Sequence, residues 1–333
     1  MKRVLVGITG TMIVVTAAIA SSVKLNPWPS LAIITYFLSY GDQASDGALQ
    51  KYVPAGIAAR VDISYGSTKD EALDLYYREG TPAQPAIVWI HGGAFVAGSK
   101  SRVANYLKIL AAHGYTTIAV EYSRGPGTTY PKAVEQVNAA LGFVVTHADD
   151  LHVDPSTILL GGDSAGAHIA GQLALITTEP QYARAVGIEP AMPPTRLAAT
   201  ILLSGVYDPA SLNLRGSYRW FNEMVMHAYS GVRDYREDER FKLTAIPRYV
   251  TRAFPPTFIS SGNGDPLAPQ AEEFARHMRQ VGVHVDALFF PEDRSPRLWH
   301  EYQFNLDEPA GQQALERIWA FLDAVSVSRT SNQ

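Results

Sequence analysis

Ser164 stands in Gly162-Asp163-Ser164-Ala165-Gly166, between an apolar run ending at Leu160 and an apolar helical pattern beginning at Ala165. A serine at the apex of a sharp strand-to-helix turn needs glycine two residues to either side, because the turn leaves no room for side chains there. Such a turn holds the hydroxyl clear of the sheet and sets backbone N–H groups at a helix N-terminus beneath it. The chemistry it permits is nucleophilic attack on a carbonyl carbon, provided a base, an orienting acid and an oxyanion site accompany the serine. Alone the spacing is a weak signal, since short motifs recur by chance.

Three further clusters supply what the serine would need. His91-Gly92-Gly93-Ala94-Phe95 follows the apolar stretch Ala86–Ile90. Two glycines directly after a strand allow a loop whose N–H groups converge on one external atom, as the negative oxygen of a tetrahedral intermediate requires. The same glycines would also suit a plain tight turn. Downstream, Ser260-Ser261-Gly262-Asn263-Gly264-Asp265-Pro266-Leu267 follows another strand and offers Asp265 as the acid that orients a histidine. Asp208, at a different strand end, is the alternative acid, and Asp286 lies within a strand. Of the nine histidines, only His300 falls in a loop between the last strand and the last helix. A neutral imidazole there could take the Ser164 proton and return it to a leaving group. His168 lies on the helix after the serine turn and reads as buried or capped. His113, His147, His152, His277 and His284 read as surface or satisfied core residues. His300-Glu301 begins like a zinc-binding His-Glu-x-x-His, but Phe304 occupies the fifth position, so that pattern fails and no metal or cofactor is expected.

The elements that must position these residues follow from hydrophobic periodicity. Ala58–Tyr65 and Ala72–Tyr77 alternate and read as two antiparallel strands. From Ala86 onward strands and helices alternate: strands at Ala86–Ile90, Thr116–Tyr122, Thr157–Leu160, Ala199–Leu203, Pro256–Ser261 and Val283–Phe290, helices at Asn105–Ala112, Ala133–Val145, Ala165–Thr177, Ala271–Val281 and Ala314–Val325. That alternation means an α/β fold, a mainly parallel sheet covered by helices on both faces. Asp208 to Val250 breaks the pattern, is rich in aromatic residues and arginine, and has the look of an inserted cap. With 47% hydrophobic residues, 333 residues can bury a large core. A net charge of −4 leaves no basic footprint for nucleic acid, and the absence of cysteine excludes disulfides and thiolate chemistry.

Taken together, His91-Gly92-Gly93-x-Phe95 followed by Gly162-Asp163-Ser164-Ala165-Gly166 resembles the bacterial hormone-sensitive-lipase-like family (family IV esterases) of α/β-hydrolases, in the family's order and approximate spacing. Val120-Glu121-Tyr122-Ser123-Arg124 through Tyr130-Pro131, and Val153-Asp154-Pro155-Ser156, are similar to stretches the family places between those motifs. Gly262 to Leu267 matches its Gly-x-x-Asp-Pro-Leu acid loop, and Trp299 to Phe304 resembles its histidine loop. The resemblance covers roughly Leu73 to Val325. It implies an eight-stranded sheet, a helical cap over the site, and hydrolysis of short- to medium-chain carboxylic esters without a cofactor. Ser164 would be the nucleophile, His300 the base and Asp265 the orienting acid, with Gly92, Gly93 and Ala165 holding the oxyanion. The family uses the Asp208 position structurally. The same machinery could act on amides, or on lipid at a membrane; a non-catalytic binding protein on this fold would lack a member of the triad. Two departures stand out. Asp-Pro-Leu is followed by Ala268-Pro269-Gln270 instead of an acidic pair, and Glu301 and Tyr302 intervene where Gly-Phe usually follows the histidine. The loop before it, Glu292 to Leu298, is also longer and carries Arg294 and Arg297.

The N-terminus carries its own information. Lys2-Arg3 precede an uncharged run from Val4, and Ala18-Ile19-Ala20 fits a signal-peptide cleavage site. The run to Val23 is also just long enough to cross a bilayer. Residues 1–22 are therefore a signal peptide or a retained anchor, and either places the catalytic body outside the cytoplasm. Residues 23–56 form an N-terminal cap segment, in which Leu31–Tyr40 reads as a helix over an apolar site or a lipid surface. Residues 57–327 form the hydrolase domain with its cap insertion at about 208–250, and 328–333 a disordered tail.

Overall fold

The computed structural model describes residues 46–212 and 215–330, together with Thr35. The leader at 1–22 and, Thr35 apart, the segment at 31–40 lie outside the described residues.

Eight strands form one sheet: β1 (Ile57–Ser64), β2 (Ala72–Arg78), β3 (Gln84–Ile90), β4 (Thr116–Val120), β5 (Val153–Asp163), β6 (Leu197–Leu203), β7 (Thr257–Ser260) and β8 (Val285–Leu288). Their spatial order is β1-β2-β4-β3-β5-β6-β7-β8. β1 and β2 are antiparallel, β2 meets β4 antiparallel, and every later pair is parallel. The central strands are buried on both faces, which is why they read as unbroken apolar runs.

Side chains of β3 show how the two faces are filled. Val88 and Ile90 enter one core, while Ile87 and Trp89 enter the other, following the period of two along a strand. Helices α1 (Ala104–Ala111), α2 (Lys132–Thr146), α3 (Ala165–Thr178) and α4 (Pro180–Val186) come next, of which α4 has no counterpart in the periodicity. Val134 and Val137 of α2 and Ile169 and Leu173 of α3 cover one face, and Tyr106 and Leu110 of α1 cover the opposite one. Each fully buried aliphatic side chain of this kind contributes about 1.5–3 kcal/mol.

Between β6 and β7 the chain carries α5 (Ser217–Ser230) and α6 (Glu239–Lys242). Tyr229 of α5 stacks on Phe95, ring centroids 3.9 Å apart, so this excursion packs against the loop after β3. α7 (Ala268–Gln280) adds Phe274 and Met278 to the first core. α8 (Pro309–Thr330) adds Ile318, Phe321 and Leu322 to the second.

The α8 boundary corrects the expected tail. Residues 328–330 belong to the helix, and only 331–333 lie outside the described residues. Ser326 and Ser328 turn their hydroxyls back onto the carbonyls of Leu322 and Ala324, one turn earlier in the same helix. Among the described residues no helix is long and apolar enough to cross a membrane.

Candidate active site

The parallel strands β3, β5, β7 and β8 end on one side of the sheet, and the residues singled out in the sequence lie in the segments that follow them. β5 runs through Asp163, and Ser164 then takes φ 52°, ψ −116° before α3 begins. A Cβ on Gly162 would come within 2.5 Å of the Gly166 carbonyl carbon, and one on Gly166 within 1.9 Å of Ile90 O. These contacts are the physical reason for glycine two residues to either side of the serine. Backbone held in a sparsely populated region such as that of Ser164 costs about 1–3 kcal/mol, and here it turns the Ser164 side chain into the pocket.

His300 Nε2 lies 3.0 Å from Ser164 Oγ, and His300 Nδ1 lies 2.9 Å from Asp265 Oδ2. Asp265 is anchored in turn: Ser261 Oγ donates to Oδ2 at 2.9 Å and the Leu267 N–H to Oδ1 at 2.9 Å. The acid loop and the histidine loop are stitched together. Leu298 donates its N–H to Asn263 Oδ1 at 2.9 Å, Gly264 donates to Leu298 O at 2.8 Å, and Asn263 Nδ2 donates to Arg294 O at 2.9 Å. The longer loop before His300 is thus a brace for Asp265.

Charges follow from these contacts. Burial works against the His300 imidazolium, but Asp265 and then Glu301 outweigh it and push His300 from 6.5 up to about 9. Burial would raise the Asp265 carboxyl, yet the His300 charge and hydrogen bonds to Leu267 and Ser261 hold it below the usual range. Asp208 accepts from the N–H of Ser211 as the cap of a short 3-10 turn. Asp286, on β8, pairs with Arg317. Neither alternative acid is bonded to a histidine. His168 is buried, bonds Val206 O through Nδ1 at 3.0 Å, and burial pushes it down to about 3, so it is neutral.

The oxyanion loop departs from expectation at one residue. Gly92 gives its N–H to Asp163 Oδ2 at 2.8 Å, so that donor is committed to the protein and is not aimed at substrate. Gly93, Ala94 and Ala165 line the pocket beside Ser164. Gly93, Ala94 and Phe95 take φ values of 115°, 54° and 62°, and a Cβ on Gly93 would fall 2.2 Å from Ala97 O. Ala94 therefore replaces Gly92 among the candidate donors. A step of one position along the loop carries no sequence signal, because the committed hydrogen bond joins two distant segments.

The sequence offered no sign of a second cluster beside the triad. Asp163, fully buried, accepts from Trp89 Nε1 at 2.8 Å as well as from Gly92, and Arg102 Nη1 lies 3.3 Å from its Oδ2. Arg102 Nη2 reaches Glu301 Oε2 at 2.6 Å. Glu301 itself sits at φ 58°, a left-handed residue directly after His300.

Above Ser164 opens a cavity of about 370 Å³, bounded by Phe95, Val206, Leu212, Phe221, Val225 and Met226 on its apolar side. Arg102, His300 and Glu301 form its polar floor. Among the described residues no group of side chains could hold a metal ion.

A family profile described as the alpha/beta hydrolase fold matches residues 87–295. The esterase LipC of Mycobacterium tuberculosis is 27% identical over 225 residues, 66% of this chain and 55% of that one. An acetyl esterase of Salmonella paratyphi B is 30% identical over 217 residues, 62% of each chain. The matched stretch thus spans between about half and three-fifths of these curated relatives. Among solved structures, esterase B from Lactobacillus rhamnosis superposes with a TM-score of 0.77 at 20% identity, covering 91% of this chain and 98% of that one. A bacterial heroin esterase gives 0.68 at 25% identity, covering 86% and 90%. With the profile spanning more than half the chain and the eight-stranded order in place, this chain belongs to the α/β-hydrolase fold family, on the hormone-sensitive-lipase-like branch its motifs pointed to.

Proposed function

We propose that the chain is a serine carboxylesterase acting on short- to medium-chain carboxylic esters. The observation that carries this reading is the Asp265–His300–Ser164 series of contacts, 2.9 and 3.0 Å, at the floor of a largely apolar cavity. The relatives' names, esterases and an acetyl esterase, support the same class.

In this mechanism Ser164 Oγ attacks the ester carbonyl carbon while His300 Nε2 takes its proton and Asp265 stabilises the imidazolium. The negative oxygen of the tetrahedral intermediate is held by the N–H groups of Gly93, Ala94 and Ala165. Collapse breaks the bond to the alcohol, which leaves with the proton from His300. Water then attacks the acyl-serine with His300 again as base, and the carboxylic acid departs. The test is Ser164→Ala assayed with p-nitrophenyl acetate and butyrate: activity should vanish at an unchanged melting temperature, and retained turnover would exclude the serine reading.

Export, or anchoring with the catalytic body outside the cytoplasm, is proposed from Lys2-Arg3 and the apolar run after it. A lipid-directed or amide-directed variant of the same chemistry is the second reading. Tyr218 and Trp299 favour the lipid version, since both line the cavity and are 53% and 63% exposed. N-terminal sequencing of exported protein should begin at Ser21 if the leader is cleaved after Ala20; recovery of intact Lys2-Arg3 from membranes would establish the anchor.

A further inference from the structure

Glu301 follows the base directly and lies at its catalytic edge. Asp265 holds Nδ1 of His300, whereas Glu301 Oε1 is 3.7 Å from Nε2, the nitrogen that faces Ser164 Oγ. The other Glu301 oxygen meets Arg102, and that guanidinium also reaches Asp163, the residue before the nucleophile. The backbone N–H of Glu301 donates to Ser204 Oγ at 3.1 Å, which fixes the residue at its left-handed angle. Glycine would suit that angle without strain. The residue kept there instead carries a carboxylate, oriented by an arginine and set beside the ring nitrogen that faces Ser164.

We propose that Glu301 is a positioning residue for His300: held by Arg102, it sets a second fixed negative charge beside the imidazolium that forms as Ser164 gives up its proton. The inference rests on the Ser164–His300–Asp265 reading above.

The charged groups around His300 come from four segments. Asp265, after β7, and Glu301, the histidine's own neighbour, lie within 4 Å of the ring. Arg102, before α1, pairs with Glu301, and Asp163, ending β5, lies behind that guanidinium. Ser164 and Ser261 add neutral hydroxyls. Among the described residues, Asp265 at Nδ1 and Glu301 beside Nε2 are the two carboxylates within 4 Å of the ring, and both favour its protonated form. Burial pushes the Glu301 carboxyl up, but Arg102 and His300 more than offset it and hold it below the usual range. Asp163 behaves oppositely, raised by burial despite Arg102.

The experiment compares Glu301→Gln, Glu301→Gly and Glu301→Asp in the full chain. It follows kcat/KM for p-nitrophenyl acetate from about pH 5 to 10 alongside thermal unfolding. Removing a negative charge beside the ring lowers its pKa, so the acid limb should move down by about one pH unit in both the Gln and Gly variants. The plateau should fall roughly ten-fold, and the Asp variant should return the midpoint to within a few tenths of a unit. An unchanged midpoint in a folded Gln or Gly variant would overturn the inference, as would a rate loss that merely follows a lowered melting temperature. The Gly variant keeps the test open if a glutamine amide mispairs with Arg102. Ser164→Ala separates the two layers. Activity in that variant sinks the serine reading itself, whereas its loss together with native midpoints in the Glu301 variants sinks only this proposal.

Discussion

Asp163 and Gly92 share a hydrogen bond of 2.8 Å, carboxylate to backbone N–H, that fastens the oxyanion loop to the nucleophile turn. The residue before the serine therefore ties the Ser164 turn to the loop of Gly93 and Ala94, and under the proposed mechanism it sets the distance between the attacking oxygen and the oxyanion donors. Because Trp89 and Arg102 converge on the same carboxylate, Asp163→Asn leaves a buried cation short of one partner and turns an amide NH₂ toward a donor. Breaking a buried pair in this way costs about 3–5 kcal/mol, which a denaturant titration would register as a lower midpoint. A folded variant of native stability would show that the cluster is not a structural clamp.

Asp265→Asn should lower kcat by about four orders of magnitude with little change in KM, because an amide favours the wrong histidine tautomer. Asp208→Asn, which touches only a turn and the rim near Arg248, should leave kcat within a few-fold of native. Steady-state kinetics on the two variants decides between the acids, and a mild effect at Asp265 would redirect the assignment.

The pH dependence has a definite sign. His300 must be neutral to accept the Ser164 proton, and its pKa is raised from 6.5 to about 9, so kcat/KM should climb with pH toward the alkaline side. Stability contributed by this group runs the other way. It is fully present below 6.5 and fades as pH rises through about 9. A pH–rate profile set beside a pH–denaturation profile should show these opposite slopes over that window.

Gly93→Ala tests the loop itself. At φ 115° and with a Cβ 2.2 Å from Ala97 O, alanine can be accommodated only by moving the backbone of a residue that lines the pocket and is a proposed oxyanion donor. Loss of an oxyanion donor costs about a hundred- to a thousand-fold in kcat. The melting temperature should fall as well, and kcat measured on the folded fraction isolates the catalytic share.

Phe221→Ala enlarges the apolar side of the cavity. Each additional methylene accommodated is worth up to about 1–3 kcal/mol of transition-state binding. The ratio of kcat/KM for octanoyl over acetyl esters should therefore rise at least several-fold in an acyl-chain series. An unchanged ratio would place the acyl chain elsewhere.

Much of the fold was legible because its signals are local. Apolar runs of strand length alternate with helical spacing, and Gly162, Ser164 and Gly166 are tied to one another by the sterics of a single turn. Boundaries were less legible. β5 begins at Val153, not Thr157, since its early residues are held as strand by pairing with Gln84 and Pro85 of β3. α4 escaped notice because so short an element carries barely two turns of periodicity. The order serine, acid, histidine was readable along the chain, and the three side chains meet where that order puts them.

What the sequence determined by itself was the alternation of elements, the glycine-flanked serine, and a short choice of acids and bases, all of which depend on neighbours a few residues apart. Only the tertiary structure decided which acid touches His300, that Gly92 is committed to Asp163 while Ala94 faces the pocket, and that Arg102 joins Asp163 to Glu301. Those decisions rest on contacts between segments far apart in the chain, 199 residues for the Arg102–Glu301 pair. A side chain's charge and reach are written in its residue type, but the partner that uses them is chosen by the packing of the sheet and its loops.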